Sequence, residues 1–332
     1  MGVLSLYFDQ GKASLRSLPA WPNRAGWAVV RPLLSGICNT DLELLQGYYG
    51  FSGVPGHEFV GEVVAVASPA QPHWLGTRVV GEINSSCLGL GVEPARWCDL
   101  CQRGWPRHCR RRRVLGIVGQ RGAHAERLWL PVANLHRVPA PVSDEEAVFV
   151  EPLAAACEIL EQVSIAPGVD RVAVLGDGKL GLLIAQVLAA ASPRELILIG
   201  KHRRKLALAQ RWGIATRSIG ARLPSKALDV VVEATGSAQG LQTAVNLLRP
   251  RGTLVLKSTV HDRVNLDTAP VVVDELTIVG SRCGPFDRAL DLLAQKKVHV
   301  QDLIDEVVPL SRGLDALPKA RRRGVLKVLL SR

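Results

Sequence analysis

The chain has 332 residues, a length that predicts two domains. Apolar residues make up 47% and charged residues 21%, a composition that excludes wholesale disorder, a collagen-like repeat and a coiled coil. The longest apolar stretch, Leu180–Ala191, is too short for a bilayer, and residues 1–10 lack the features of a secretion signal, so we expect a cytoplasmic protein that contacts no membrane. The formal net charge is +11, but the basic clusters are scattered, aromatic residues make up only 5%, and no recognition module accompanies them, so we expect no nucleic-acid partner.

The first part of the chain, from Leu4 to about Val138, contains short predicted strands that are broken by Gly and Pro. Ser143 and Glu146 then form a capping box that opens an apolar helical pattern. The clearest strands before this change are Gly26–Pro32, Phe59–Val66 and Thr77–Ile83.

Beyond Pro167, predicted strands alternate with predicted helices, which indicates a parallel sheet with helices on both faces. The strands are Arg171–Leu175, Glu195–Ile199, Leu228–Val232, Gly252–Leu256 and Glu275–Val279, and the helices are Lys179–Ala191, Arg204–Trp212 and Gln239–Leu248. A further helix, Phe286–Gln295, precedes a strand-like Ile304–Pro309 and the closing segment Gly324–Leu330. The predicted fold class is therefore α/β, with a β-rich domain before a doubly wound parallel sheet.

A glycine-rich motif lies between the first of these strands and the helix that follows. Its residues are Gly176, Asp177, Gly178, Lys179, Leu180 and Gly181. The glycines permit a tight turn and allow backbone N–H groups to approach a pyrophosphate at the positive end of the helix. A second strand completes the unit within about thirty residues, as a dinucleotide-binding unit requires. We interpret the motif as a dinucleotide-binding loop; the alternative is a close-packed glycine turn without a ligand.

The end of the second strand bears on the choice of cofactor. An NAD site has Asp or Glu at this place to bind the ribose hydroxyls, whereas this chain has Gly200. Without that carboxylate nothing repels a 2′-phosphate, and basic residues that oppose the helix macrodipole can bind it. We therefore expect NADP(H) to be favoured over NAD(H), the alternative being a solvated basic face. The basic residues are Lys201, His202, Arg203, Arg204 and Lys205.

Four cysteines, Cys87, Cys98, Cys101 and Cys109, fall within one loop. Four thiolates suit tetrahedral Zn²⁺, and such a closed shell is structural because no coordination position stays open. A redox Cys-x-x-Cys is the alternative, although that motif normally opens a helix in a thioredoxin-like unit.

A second potential metal site combines different donors. Cys38 lies in G-I-C-N-T-D, His57 and Glu58 lie in G-H-E-F-V-G-E, and Glu151 lies in V-E-P-L. Each alone is typical of an ordinary core or loop residue. Together they supply one sulfur, one nitrogen and two carboxylates, a mixed shell that suits a catalytic zinc with room for water or substrate.

These motifs, in this order, resemble the zinc-dependent alcohol dehydrogenase branch of the medium-chain dehydrogenase/reductase superfamily. The resemblance covers essentially the whole chain, including G-A-H-A-E at residues 122–126. It implies a GroES-like catalytic domain over residues 1–142 and a Rossmann dinucleotide-binding domain over residues 143–284. A C-terminal segment, residues 285–332, would return to the first domain, with the active site in the cleft. It also implies a homodimer or homotetramer.

The resemblance implies a role for each matching residue. Cys38 and His57 would bind a catalytic zinc. Glu58 matches a residue that is a ligand in polyol-type members, and Glu151 matches the Glu of polyol and sugar dehydrogenases. Asp41 would orient His57 through its other ring nitrogen, and Thr40 would take the substrate proton toward solvent. Thr40, Asp41 and Glu58 are thus the catalytic candidates, while Cys87, Cys98, Cys101 and Cys109 would hold a structural zinc.

The chain departs from the family pattern at two places. Residues 88–97 separate Cys87 from Cys98, where the family has two residues, which leaves open whether Cys87 closes the zinc site. Glu43 stands where a relay histidine is frequent, which leaves the outer proton path open.

The predicted function is hydride transfer between a nicotinamide cofactor and a primary or secondary alcohol or polyol, or the corresponding aldehyde or ketone. It would use one catalytic and one structural zinc. Two alternatives stay open: a zinc-free reductase of activated double bonds with the same fold, and a non-enzymatic zinc-binding module with a basic surface.

Overall fold

The computed structural model describes residues 2–21, 24–67, 71–223, 225–259 and 264–332. In this part of the chain the strands are β1 (Gly2–Asp9), β2 (Lys12–Pro19), β3 (Trp27–Gly36), β4 (Glu58–Val66), β5 (Arg78–Gly81), β6 (Asn84–Ser85), β7 (Arg113–Leu115), β8 (Gly119–Gln120), β9 (Leu128–Pro131), β10 (Leu135–Arg137), β11 (Arg171–Leu175), β12 (Glu195–Gly200), β13 (Ala215–Ser218), β14 (Leu228–Glu233), β15 (Leu248–Leu256), β16 (Thr277–Gly280), β17 (Ile304–Pro309) and β18 (Lys327–Ser331). The helices are α1 (Asn39–Leu45), α2 (Asp99–Gln102), α3 (Asp144–Ala147), α4 (Val150–Gln162), α5 (Lys179–Ala189), α6 (Arg203–Arg211), α7 (Ala238–Leu247), α8 (Ala269–Val273), α9 (Phe286–Ala294) and α10 (Gly313–Ala320).

The chain forms two compact units. Met1–Glu151 and Leu303–Arg332 make the first unit, and Pro152–Asp302 makes the second. The C-terminal segment joins the first unit because β18 pairs with both β17 and β3. These borders differ from the expected ones at 142 and 284. Helix α9 belongs to the second unit, where Arg288 donates to Glu161 of α4 at 2.8 Å, so that unit extends past residue 284.

The main sheet of the first unit has the strand order β10-β5-β4-β3-β18-β17, and β9 also pairs with β3. The candidate metal ligands Cys38, His57 and Glu58 lie at one end of this sheet. Gly36, the last residue of β3, lies opposite Glu58, the first residue of β4, and opposite Leu329 of β18. Cys38 follows β3 and His57 precedes β4, so the pairing of three neighbouring strands brings separate chain segments to the same place.

A hydrophobic cluster fixes the helix that begins beside Cys38. It joins α1 to β1, β17, β18 and α10, which removes apolar surface of each from water. Its buried members are Leu6, Phe8, Ile37, Leu44, Leu45, Val308, Leu310, Ala316, Leu317, Val328 and Leu330.

The second unit contains a parallel sheet in the order β13-β12-β11-β14-β15-β16. Counted from β11, this is the doubly wound order 3-2-1-4-5-6 of a Rossmann domain. Val172–Leu175 of β11 are buried, as a central parallel strand requires. The predicted α/β fold class, with a β-rich domain and a Rossmann domain, is confirmed.

The sequence prediction missed some elements for identifiable reasons. Strand β13 is a mostly exposed Ala-Thr-Arg-Ser run without apolar alternation. Helix α10 begins with Gly313 and contains Pro318, both of which argue against a helix. Among the described residues, no helix has the length and hydropathy that crossing a membrane requires.

Candidate functional site

Cys38, His57 and Glu58 form a group of three potential metal ligands, called the mixed group below. Their donor atoms all lie within 4.8 Å of one another. Cys38 is half-buried, whereas His57 and Glu58 expose only 4% and 1% of their surface. Zinc accepts a thiolate, an imidazole and a carboxylate, and three protein ligands leave one position open. The donor set therefore fits a catalytic zinc ion.

Asp41, in the first turn of α1, organises the mixed group. Its Oδ2 accepts the backbone N–H of Cys38 at 2.8 Å, and its Oδ1 accepts that of Gly56 at 3.1 Å. His57 Nδ1 lies 3.5 Å from the same Oδ1, which leaves Nε2 to face a metal. Burial alone would raise the pKa of Asp41, but His57 and His124 hold that pKa well below its usual value. Asp41 is therefore an ionised carboxylate that ties the two ligand segments together.

Thr40 and Glu151 were also predicted for this site, and neither is a member of the mixed group. Thr40 is half-buried, and its Oγ1 lies 4.0 Å from Cys38 Sγ. Glu151 is half-buried in the first turn of α4. Among the described residues, Glu58 supplies the one carboxylate of the mixed group, so the assignment of Glu151 as a ligand stays a prediction.

Lys327, which the sequence analysis did not single out, is the ion-pair partner of Glu58. Strand β18 carries it beside β3, and its ammonium donates to Glu58 Oε2. Both side chains are only 1% exposed, and Nζ lies 5.7 Å from the centroid of the Phe149 ring. Burial lowers the pKa of Lys327, but Glu58 and Cys38 outweigh burial and raise it. The available signal was a lysine between Leu326 and Val328 in an otherwise apolar run.

His124 is a second buried residue to which the sequence analysis gave no role. Its Nδ1 lies 3.0 Å from Ser35 Oγ, and its Nε2 lies 3.5 Å from Asp41 Oδ2. The G-A-H-A-E motif thus brings a second imidazole to the carboxylate that faces His57. Its available signal was a histidine between two small apolar residues, Ala123 and Ala125.

The four cysteines of the loop form the second potential metal site, called the four-thiol group below. The sulfurs of Cys87, Cys98, Cys101 and Cys109 all lie within 4.8 Å of one another. Cys87 Sγ is 3.6 Å from Cys109 Sγ, and Cys98 Sγ is 3.8 Å from it. Backbone N–H groups of Cys101 and Arg110 lower the pKa of Cys98 to about 6, whereas burial raises that of Cys101 to about 12. Four converging thiols fit a closed zinc shell.

The ten residues between Cys87 and Cys98 do not carry Cys87 away from the other thiols. The backbone N–H of Val92 donates to Cys87 O at 2.9 Å, and Trp97 Nε1 donates to Val92 O at 2.8 Å. These bonds fold the insertion back, and the backbone N–H of Cys98 then lies 3.5 Å from Cys87 Sγ. The insertion is therefore compatible with a thiol at position 87 in the four-thiol group.

The glycine-rich motif forms the turn from β11 into α5. Gly176 has φ +124°, and a Cβ on it would lie 2.6 Å from Ala234 O, so only glycine fits. A Cβ on Gly178, which precedes the first turn of α5, would meet nothing within 4 Å. Lys179 and Leu180 are half-buried, and Gly181 is buried. The open backbone at the start of α5 fits a pyrophosphate.

The side chain of Asp177 lies at the end of β12. Its Oδ2 accepts the backbone N–H groups of Lys201 at 2.8 Å and His202 at 2.6 Å, and His202 Nδ1 lies 3.1 Å from both oxygens. A Cβ on Gly200 would lie 2.5 Å from Asp177 Cβ. The expectation that this strand end carries no carboxylate is therefore wrong, because the glycine loop supplies one. Lys201, Arg203 and Arg204 are exposed around the start of α6.

Two family models match the chain. The model described as an alcohol dehydrogenase GroES-like domain matches residues 24–140, and the model described as a zinc-binding dehydrogenase matches residues 180–295. Together they cover most of the chain, and their order along it is the order of the two compact units.

Individual relatives resemble the chain over nearly its full length. The D-altritol 5-dehydrogenase of Agrobacterium fabrum is 29% identical, with 94% of each chain covered. The sorbitol dehydrogenase of Halalkalibacterium halodurans is 28% identical over 90% of this chain and 89% of that protein. The solved structure of a Sinorhizobium meliloti protein, described as a zinc-binding dehydrogenase bound to NADP, is 27% identical, covers 100% of both chains and has a TM-score of 0.90. The chain thus belongs to the zinc-dependent alcohol dehydrogenases of the medium-chain dehydrogenase/reductase superfamily.

Proposed function

We propose that this chain is a zinc-dependent dehydrogenase that interconverts a polyol, or a related primary or secondary alcohol, with the corresponding ketone or aldehyde. The observation that carries the proposal is the mixed group, in which a thiol, an imidazole and a carboxylate converge within 4.8 Å. The names of the relatives from Agrobacterium fabrum and Halalkalibacterium halodurans, both polyol dehydrogenases, support the substrate class.

The residues of the mixed group and their neighbours have separate roles in the proposed reaction. Cys38 and His57 would hold the zinc, and Asp41, whose Oδ1 lies 3.5 Å from Nδ1 of His57, would orient the imidazole. A zinc ion bound there supplies Lewis acidity at the substrate oxygen, and the nicotinamide supplies hydride chemistry. Thr40 holds the substrate proton at Oγ1, on the same segment as Cys38.

The pairing of Glu58 with Lys327 bears on the remaining ligand. A carboxylate that is already neutralised by a buried ammonium donates less charge to a metal. Glu58 is therefore proposed as the weakest of the three ligands, and Glu151, which the family resemblance implies as a ligand, as a candidate to supplement it.

The four-thiol group is proposed to hold the structural zinc. Four thiolates close a tetrahedral shell, so this ion stabilises the loop of residues 87–109 and takes no part in hydride transfer. Four converging cysteines that hold a metal rather than form disulfides suit the reducing cytoplasm, where we place the protein.

The cofactor is proposed to bind at the glycine loop, with its pyrophosphate at the start of α5. The exposed Lys201, Arg203 and Arg204, together with His202, support NADP(H) as the favoured form. The NADP bound to the Sinorhizobium meliloti relative supports the same choice. The carboxylate of Asp177 acts against it, and its contribution is developed below.

A homodimer or homotetramer is proposed from the edge of the parallel sheet. Strand β16 ends the sheet, and Ile278 on it is 40% exposed. Val272 and Val273 just before it are 74% and 77% exposed. An open strand edge beside exposed valines suits pairing with a second copy of the chain.

A substrate screen tests the proposed function. The zinc-loaded protein is incubated with polyols, simple alcohols and ketones, each with NAD(H) and with NADP(H), while absorbance of the reduced nicotinamide is followed. We expect reversible oxidation of a polyol. Reduction of activated double bonds by a zinc-free protein would instead favour the zinc-free reductase. Salt-sensitive oligonucleotide binding without cofactor affinity would favour the non-enzymatic module.

A further inference from the structure

We propose that Asp177 determines how the protein discriminates between NAD(H) and NADP(H). Its carboxylate accepts the 2′-hydroxyl of the adenosine ribose and opposes a 2′-phosphate at the same place. The proposal rests on the proposed nicotinamide cofactor and deepens it, because it assigns the discrimination to a residue of the glycine loop rather than to the end of the second strand.

The position of the carboxylate is the first argument. In a dinucleotide-binding unit, the acid that binds the ribose hydroxyls lies at the end of the second strand, which is Gly200 of β12 here. A Cβ on Gly200 would lie 2.5 Å from Asp177 Cβ and 2.6 Å from its Cγ and Oδ2. Asp177 therefore fills the volume that a side chain at position 200 would occupy. The acid reaches the usual place from a different part of the chain.

The hydrogen bonds of the carboxylate are the second argument. Oδ2 accepts two backbone N–H groups, from Lys201 and His202. Among the hydrogen bonds of the described residues, Oδ1 is contacted by His202 Nδ1 alone, at 3.1 Å. A carboxylate oxygen accepts about two hydrogen bonds, so Oδ1 retains capacity for a hydroxyl donor. The ribose 2′-hydroxyl is such a donor, whereas a 2′-phosphate is not.

Competition for the backbone is the third argument. Unpaired N–H groups around a helix N-terminus are the donors that an incoming phosphate uses. Just before α6, the N–H groups of Lys201 and His202 already donate to Asp177. Burial raises the pKa of Asp177, but the hydrogen bonds from His202 and Lys201 outweigh burial and lower it, so the group is ionised at neutral pH. A 2′-phosphate must therefore bind through side chains and beside a negative charge.

The balance of charges at this site gives the direction of the expected change. The basic residues Lys201, Arg203 and Arg204 attract a 2′-phosphate, and Asp177 repels it. Removal of the Asp177 charge should leave the attraction in place and shift selectivity toward NADP(H). Removal of a basic residue should shift it the other way.

Calorimetric titration with two small probes tests the proposal without any turnover. The probes are 2′,5′-ADP, which carries the 2′-phosphate, and 5′-AMP, which carries the free 2′-hydroxyl. In Asp177→Asn we expect affinity for 2′,5′-ADP relative to 5′-AMP to rise by about tenfold or more, as expected for removal of a unit charge a few ångströms away. Dissociation constants for NADPH and NADH should shift in the same sense.

Two variants serve as controls. Asp302 pairs with Arg211 at the far end of α6, at 3.1 Å, so Asp302→Asn removes the same charge from the same unit. It should leave the ratio of the two affinities unchanged. The double variant D177A/G200D returns a carboxylate to the vacated volume and should restore the wild-type ratio. Asp177→Ser repeats the test with a smaller side chain, and thermal unfolding shows which variants are folded.

The outcomes separate the proposal from the function on which it rests. A folded Asp177→Asn, or a folded Asp177→Ser if the first variant unfolds, whose ratio stays within about twofold of the wild type would overturn the role of Asp177. A wild-type protein that binds neither NADH, NADPH nor the probes would overturn the dinucleotide site and this proposal together. Intact probe selectivity in a protein that oxidises no alcohol would support Asp177 and contradict only the proposed function.

Discussion

The four-thiol group and the mixed group lie in the same unit but are built in opposite ways. The four-thiol group draws its ligands from one loop, and the backbone N–H groups of Cys98 and Arg111 point at sulfurs of that group. The mixed group draws its ligands from the adjoining ends of β3 and β4, and charged side chains, Asp41 and Lys327, surround it. One group is assembled by local chain folding, the other by the pairing of distant strands.

This difference teaches how the chain separates stability from chemistry. A shell of four sulfurs leaves no coordination position open for a substrate, so its metal ion only stabilises the loop. A mixed shell with an open position needs outer partners that orient its ligands and adjust their charge. Removal of one group should therefore damage the fold, and removal of the other should damage activity.

The largest expected effect on stability comes from Cys101→Ser in the four-thiol group. Loss of one thiolate opens the shell and weakens zinc binding, which is coupled to folding. The free energy of unfolding should fall by more than about 4 kcal/mol, the linkage value for an ion present at about 1,000 times its dissociation constant. Chemical denaturation with zinc analysis measures it. The matched control is Cys157→Ala, a buried thiol outside both groups, which should leave the zinc content unchanged.

The next largest effect on stability is expected for Lys327→Met, which removes the ammonium that pairs with the Glu58 carboxylate. Breaking a buried ion pair from one side costs about 3 kcal/mol or more, because an unpaired charge stays buried. The free energy of unfolding should fall by this amount, while zinc in the four-thiol group stays bound. The double variant K327M/E58Q should be more stable than Lys327→Met alone. Equal loss in both variants would show that the pairing itself is unimportant.

A smaller effect is expected for Asp41→Asn, which tests the orientation of His57. The amide keeps the shape of the carboxylate but loses its charge, so the mixed group should bind zinc about 10- to 100-fold more weakly. Competition with a chelator measures both zinc affinities of one protein. Weakening of both groups to the same extent would contradict the separation of the two sites.

The smallest effect is expected for His124→Asn. The asparagine keeps a polar group near Ser35, so the unfolding free energy should fall by about 1 kcal/mol, the scale of one hydrogen bond. Zinc affinity of the mixed group should change less than in Asp41→Asn, because the His124 ring faces Asp41 Oδ2 and is not itself a member of the group. A larger loss of zinc affinity than in Asp41→Asn would assign the orienting role to His124.

Much of the fold could be predicted from the sequence, because periodic apolar residues and turn residues report local structure. Strands β11 and β17 were predicted to the residue. Strand β13 is too polar to show an apolar alternation, so it could not be predicted. Pro318 within α10 argues against a helix there, so α10 could not be predicted either. Both are held by the rest of the fold rather than by their own preference.

Those residues of the candidate site that belong to short sequence motifs could be predicted. Cys38, His57 and the four cysteines stand in short patterns whose chemistry is recognisable. Lys327 does not, because it meets Glu58 across 269 residues through strand pairing that no local pattern reports. Asp177 could be named as part of the glycine loop, but it fills the place left by Gly200 through the pairing of β11 with β12, which no local pattern reports.

Zinc content and turnover of Cys38→Ser, measured on the same preparation, test the central claim most directly. The wild type should bind two zinc ions per chain. The variant should bind one, should lose oxidation of the polyol, and should bind NADPH with unchanged affinity, since the glycine loop lies in the other unit. Full turnover by a variant that holds only the zinc of the four-thiol group would contradict the account.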